Sequence, residues 1–139
     1  MIVLDTNVLS EVLRPAADPN VVTWLAAQPI GSLFVTTVTQ AEILYGLALL
    51  PSGHRQKRLR EAVDAMFEEE FHGRLLSFDE SAAREFAAIA AKRRALGRPI
   101  SQFDAQIAAI ARSRNADLAT RNIEDFAECA LSVINPWHK

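Results

Sequence analysis

Three acids draw attention before anything else in the chain: Asp5, Glu42 and Asp104. Asp5 ends a short apolar run, Ile2-Val3-Leu4, and is followed by Thr6-Asn7. Glu42 falls in the first turns of a helical pattern that follows a second apolar run, Leu33-Phe34-Val35-Thr36. Asp104 stands three residues after Ser101, at the start of another helical pattern. Each has an ordinary structural use. Asp5 can cap a helix, Glu42 can be a solvated first-turn acid, and Asp104 can pair with Ser101 in a variant capping box. Their joint order is what suggests chemistry. Gathered ionised carboxylates raise one another's pKa, and helix N-termini favour an acid by only about 0.3–1 kcal/mol each. A hard divalent cation with oxygen ligands resolves that conflict. Mg2+ typically takes one or two carboxylates, several waters and a substrate phosphate. It can activate a bound water and stabilise the charge that builds on a phosphodiester.

The elements that must position these acids can be read from spacing. Ile2–Leu4 is a first strand, and the helix after it runs through Val8, Leu9, Val12 and Leu13 until Pro15. Asp18-Pro19 reads as an N-cap with proline at the first helical position. Leu33–Thr36 is a second strand. Thr37-Val38-Thr39-Gln40 matches a capping box and launches a helix through Leu49, which Pro51 breaks. A charged helix runs from about His54 to Phe71, with Gly73 as its C-cap. Leu75–Phe78 is a third strand, and Asp79 caps an alanine-rich helix that ends before Gly97. Ser101 caps the helix bearing Phe103, Ile107 and Ile110. Leu118–Thr120 and Leu131–Ile134 complete the strands. Alternation of this kind predicts an α/β fold with a mainly parallel sheet. Sites in such sheets lie beyond the carboxyl ends of the strands. Asp5 is aimed at that crevice, and the helices carrying Glu42 and Asp104 leave from the same end.

Composition sets the outer limits. The chain has 139 residues, half of them apolar, which suits one domain over residues 1–139. A net charge of −2 argues against nucleic-acid binding by bulk charge alone, although metal ions would cancel acidity at a docking site. The one cysteine, Cys129, excludes an intrachain disulfide or a thiolate cluster, and reads as a small buried hydrophobe. The chain opens directly into a strand with no leader-like pattern, and no apolar run is long enough to span a bilayer. The expected setting is the cytoplasm. The runs His54–Arg60 and Lys92–Arg98 read as solvated basic helix faces, with RNA phosphates or a partner protein as the alternative. Trp24 and Trp137 read as packing residues.

Four segments in order carry a resemblance: Ile2–Val8, Thr39–Gly46, Phe103–Ala109 and Ala119–Phe126. Together they resemble the PIN-domain ribonucleases, and in particular the VapC toxins of the FitB-like branch, whose ending Asn135-Pro136-Trp137-His138 also fits. The resemblance implies a parallel sheet sandwiched between helices and Mg2+- or Mn2+-dependent endonuclease cleavage of RNA. It implies Asp5, Glu42 and Asp104 as catalytic acids, with Asp5 and Asp104 as direct metal ligands. Thr6 and Thr120 would orient ligands or waters, and Arg121 stands beside the site, suited to a phosphate. It further implies a homodimer held inactive by a small antitoxin, in this branch a ribbon-helix-helix DNA-binding protein. The chain departs from the pattern at Asn122, where many relatives carry a fourth acid. Asp125 could supply that carboxylate from three residues on. Asn122 favours a resting state with one metal.

Two other readings compete. Aspartyl-phosphate hydrolases also open with an Asp after the first strand, but need a second Asp two residues later, where this chain has Asn7. A degenerate PIN-like module that only partners a DNA-binding antitoxin would accommodate Asn122. The intact set of three acids favours the enzyme.

Overall fold

The computed structural model describes residues 1–138. Among them, five strands form one sheet: β1 (Ile2–Leu4), β2 (Leu33–Thr36), β3 (Leu75–Leu76), β4 (Asp117–Ala119) and β5 (Val133–Ile134). They lie in the order β3-β2-β1-β4-β5, and every pairing is parallel. The helices are α1 (Thr6–Val12), α2 (Pro19–Ala26), α3 (Thr37–Ala48), α4 (His54–Ala65), α5 (Glu80–Ala95) and α6 (Gln102–Ser113). Strand alternation sends successive side chains to opposite faces. Val3 and Leu118 enter one core with Ile89 of α5 and Ile107 and Ile110 of α6. Leu4 and Ala119, their neighbours in sequence, enter a second core with Val8, Val21, Ile43, Leu47 and Val63. Both faces of the sheet are therefore covered, as parallel sheets require, and the expected α/β sandwich is found. No helix among the described residues is long and apolar enough to cross a membrane.

Several boundaries differ from the sequence reading, each for a local reason. The strand expected over Leu75–Phe78 stops at Leu76, because its partner β2 turns into α3 after Thr36 and offers no further ladder. The last two strands are also short. Ser132 still accepts from the Leu118 N–H, and the Thr120 N–H still donates to Ile134, so the ladder overruns the assigned ends. The cap of α3 is Thr36, one residue before the expected capping box, and its hydroxyl accepts from the Thr39 N–H at 3.0 Å. The charged helix does not run regularly to Phe71. After α4 the turn widens to a π-helical stretch, Met66–Glu70, in which the Phe71 N–H reaches Met66. Met66, Phe67 and Phe71 are all buried there. Gly73 lies beyond the cap residue, Phe71, in the turn that the Arg74 N–H closes onto Phe71. Its φ of +76° suits glycine.

The largest correction concerns Arg93, counted above within a solvated basic run. It is only 5% exposed. Its Nε donates to the Arg98 carbonyl at 2.7 Å, and its Nη1 to the carbonyls of Asp125 and Ala127 at 2.8 and 3.0 Å. These bonds pin a segment in which Glu128 and Ala130 hold positive φ, a conformation unfavourable for non-glycine residues. Cys129, between them, is buried beside Arg93 as the small-hydrophobe reading expects. Arg93→Ala would remove the buried donor of three part-buried hydrogen bonds to carbonyls, and charged hydrogen bonds contribute about 1.5–3 kcal/mol each. A loss of at least ~3 kcal/mol is expected in chemical denaturation. Arg94→Ala, on the exposed side of the same turn, is expected to stay within about 0.5 kcal/mol of the parent. Equal effects at the two positions would contradict the buried role.

Candidate active site

The strand order reverses direction between β1 and β4, which makes the crevice at their carboxyl ends the switch point of the sheet. Asp5 is the first residue out of β1, and its N–H donates to the Ala119 carbonyl of β4 at 2.9 Å. The side chain is thereby fixed at the crevice floor, 4% exposed. It also caps α1: Oδ1 accepts from the Thr6 N–H at 2.8 Å. Oδ2 accepts from Asn7 Nδ2 at 3.0 Å and from the Thr120 hydroxyl at 2.8 Å. A carboxylate offers about four acceptor sites. Three are filled, and the remaining one is on Oδ1.

Glu42 reaches the same crevice from the second turn of α3, where its Oε1 accepts from the Thr6 hydroxyl at 2.8 Å. Thr6 in turn shares a hydrogen bond with the buried Thr39 hydroxyl at 2.9 Å. Asp104 arrives from the first turn of α6, whose cap Ser101 accepts from the Asp104 N–H at 3.2 Å. Asp5, Glu42 and Asp104 line one cavity of about 380 Å³. Thr6 and Asn122 line it as well, while Thr120 is buried behind Asp5. Asp125 is absent from the lining, although its charge reaches Asp104.

The electrostatics follow from burial. Burial is the main cause that pushes the Asp5 carboxyl from its ordinary 3.8 up to about 6. The hydrogen bonds from Thr120 and Thr6 oppose the shift, and the charges of Asp104 and Glu42 add to it. Asp104 is also raised, again chiefly by burial and further by Asp125, while Ser101 and the Arg93 charge pull it back. None of the three acids is ion-paired to a cation among the described residues.

The donor set is all oxygen, negative and uncompensated, which fits a hard divalent ion. Among the described residues no three acid, His or Cys side chains close on one point to chelate an ion by themselves. That spacing suits an ion taking one or two carboxylates and completing its shell with water.

Sequence reasoning missed two residues here. Glu11 is a fourth, buried acid on the cavity wall, but its charge is committed to Arg14 at 3.3 Å and to the Asp18 N–H at 2.9 Å. Asn7 entered the sequence reading as part of the turn after the first strand and as the residue that is not Asp, with no role at the site. Its Nδ2 bridges Asp5 and Thr120, and its Oδ1 accepts from the Arg121 N–H at 3.3 Å. Its place two residues after Asp5 was the available signal, since Asn can both donate and accept across a turn. Trp137 packs against the second core as expected, and also lines the cavity.

Comparison with known proteins follows the same lines. The PIN domain family model matches residues 2–130. The toxin FitB of Neisseria gonorrhoeae is 38% identical over 138 residues, 99% of each chain. The VapC ribonuclease Y4jK of Sinorhizobium fredii is 37% identical over 137 residues, 99% of this chain and 98% of the relative. The solved structure of FitAB bound to an IR36 DNA fragment superposes with a TM-score of 0.94 at 37% identity, covering 100% of this chain and 97% of that one. With the switch-point crevice and the acids around it, these matches show that the chain belongs to the PIN-domain family, in its VapC- and FitB-like branch.

Proposed function

We propose that this chain is the toxin half of a toxin–antitoxin pair and an endoribonuclease that uses Mg2+, with Mn2+ as a substitute. The carrying observation is the uncompensated charge at the crevice: a buried Asp5 with Glu42 and Asp104 on the same cavity wall. Asp5, through the open site on Oδ1, and Asp104 would hold the ion. When bound, it supplies Lewis-acid stabilisation of phosphate charge and acidifies water. The protein's own part is orientation. Thr120 and Asn7 lock Oδ2 of Asp5, and Thr6 holds Oε1 of Glu42, leaving Oε2 to accept from a water in the cavity. Asn122 contributes an uncharged amide at the rim, which supports a single tightly held ion.

The surroundings support partners as well. A second groove of about 660 Å³ shares Thr6, Arg14 and Glu42 with the acid cavity, and is walled by Leu13, Ile43, Leu47 and Leu59. A mainly apolar groove that leads to unpaired acids, with Arg55 and Arg58 also on its lining, suits a segment of a cognate antitoxin, and the ribbon-helix-helix class fits this branch. Leu44 and Tyr45 of α3, its C-cap Leu49, and Phe103 of α6 are exposed on two helices that touch, which supports a homodimer. A cytoplasmic setting is consistent with one buried, unpaired thiol.

Asp5→Asn keeps the shape and removes the charge. RNA cleavage is expected to fall by more than ~10²-fold with the fold retained; parent-level cleavage by the purified variant would sink the assignment. Asn122→Asp adds a charge at the rim and is expected to tighten Mn2+ binding about tenfold, ~1.4 kcal/mol, in calorimetry. An unchanged affinity would remove the role given to position 122.

The Asp5 shift also has a pH consequence in chelator. The folded carboxyl keeps its proton up to about 6, and the unfolded one releases it near 3.8. Ionisation therefore opposes folding above about pH 6, by about 3 kcal/mol in full, and the penalty vanishes below about pH 4. Between these limits the parent is expected to gain stability relative to Asp5→Asn as pH falls. A stability difference that ignores pH would show that Asp5 carries no buried charge.

A further inference from the structure

Two cations line the acid cavity, and they are held differently. Arg14 is paired with Glu11. Arg121 pairs with no carboxylate among the described residues, although Asp5, Glu42 and Asp104 share its cavity. Its guanidinium lies instead over the indole of Trp137, with Cζ 5.3 Å from the ring centroid. Both ends of this stack are anchored. The Arg121 N–H donates to Asn7, the same side chain that holds Asp5. The Trp137 N–H donates to Asn135 Oδ1 at 2.9 Å, and its carbonyl accepts from Asn20 Nδ2 at 2.9 Å.

We propose that Trp137 is a positioning residue that holds the Arg121 guanidinium at the edge of the acid cavity, where Arg121 binds a phosphate of the RNA strand. The proposal rests on the ribonuclease reading and adds to it the group that fixes the strand. A free guanidinium in an acid-lined cavity would settle on a carboxylate and block the metal site. Stacking satisfies its charge through the indole face and leaves the in-plane N–H fork open, the geometry that matches a phosphate's two oxygens. The indole face is already covered by Arg121, so Trp137 serves the strand through Arg121 and not as a stacking platform for a base.

Binding of a short, mixed-sequence single-stranded RNA to the metal-free protein, followed by fluorescence anisotropy over a range of salt, tests this without cleavage. Each phosphate contact on a single strand contributes about 0.7 to the slope of log K against log salt. Arg121→Met is expected to lower the slope by about 0.7. Trp137→Leu is expected to lower it in part, Trp137→Phe to restore it, and Trp137→Leu to add nothing in the Arg121→Met background. With Mg2+ present, the same variants should raise KM and leave kcat nearly unchanged. An unchanged slope in Arg121→Met overturns the proposal. So does a Trp137→Leu effect that persists without Arg121, which would mean base stacking or packing alone. If Trp137→Leu fails to fold, Arg121→Met and Trp137→Phe decide by the same slopes. A parent that neither binds nor cuts RNA overturns the ribonuclease reading along with this one, whereas a parent that cuts RNA while Arg121→Met keeps its slope overturns this one alone.

Discussion

The constraint on which the rest depends is the burial of one negative charge at the end of the central strand. Asp5 cannot swing into solvent, because its own N–H is bonded to β4 and its carboxylate caps α1. Burying an ionised carboxylate is costly unless it is paired or hydrogen-bonded. Neutral donors answer part of that cost: Thr6, Asn7 and Thr120 all donate to Asp5. Thr6 passes the network on to Glu42 and Thr39, and Asn7 passes it to the main chain of Arg121. Hydroxyls and an amide orient the acids without neutralising them. A lysine or arginine in their place would neutralise the pocket and remove the charge on which the proposed divalent ion depends.

Much of this could be read in the sequence because the relevant signals are local. An acid directly after an apolar run, a proline behind Asp18, and Ser101 three residues before Asp104 each announce an element end. The alternation of strands and helices sets the rest of the sheet. Details decided by distant partners could not be read in this way. The length of β3 depends on where β2 turns into α3, and the widened turn after α4 accompanies the burial of Met66, Phe67 and Phe71. Arg93 shows the limit most clearly. Between Lys92 and Arg94 it looks like one more solvated cation, yet two of the three carbonyls it serves lie more than thirty residues along the chain. Asn7 and Glu11 were missed for the related reason that their partners lie beyond β4, in Thr120 and Arg121, or at the cap of the next helix, in Asp18, not in a recognisable motif.

Arg93 also links the two sides of the site. It holds the segment after β4 by main-chain carbonyls, and its charge lowers the pKa of Asp104. The loop that carries Arg121 and Asn122 begins at β4, and the segment that Arg93 grips follows it. One buried cation thus supports both the segment that follows the rim and the ionisation of an acid that lines the same cavity.

The strand order has a consequence in time as well as in space. β1 is made well before its neighbour in the middle of the sheet, β4, from which β2, β3 and six helices separate it along the chain. Asp104 and Thr120 also come late, as does Trp137 on the cavity wall. A nascent polypeptide emerging from the ribosome therefore has Asp5 and Glu42 but no crevice to hold them in. The pocket closes only once β4 and the residues through Trp137 have been made, so a product cut short before them would have no crevice in which to gather its acids.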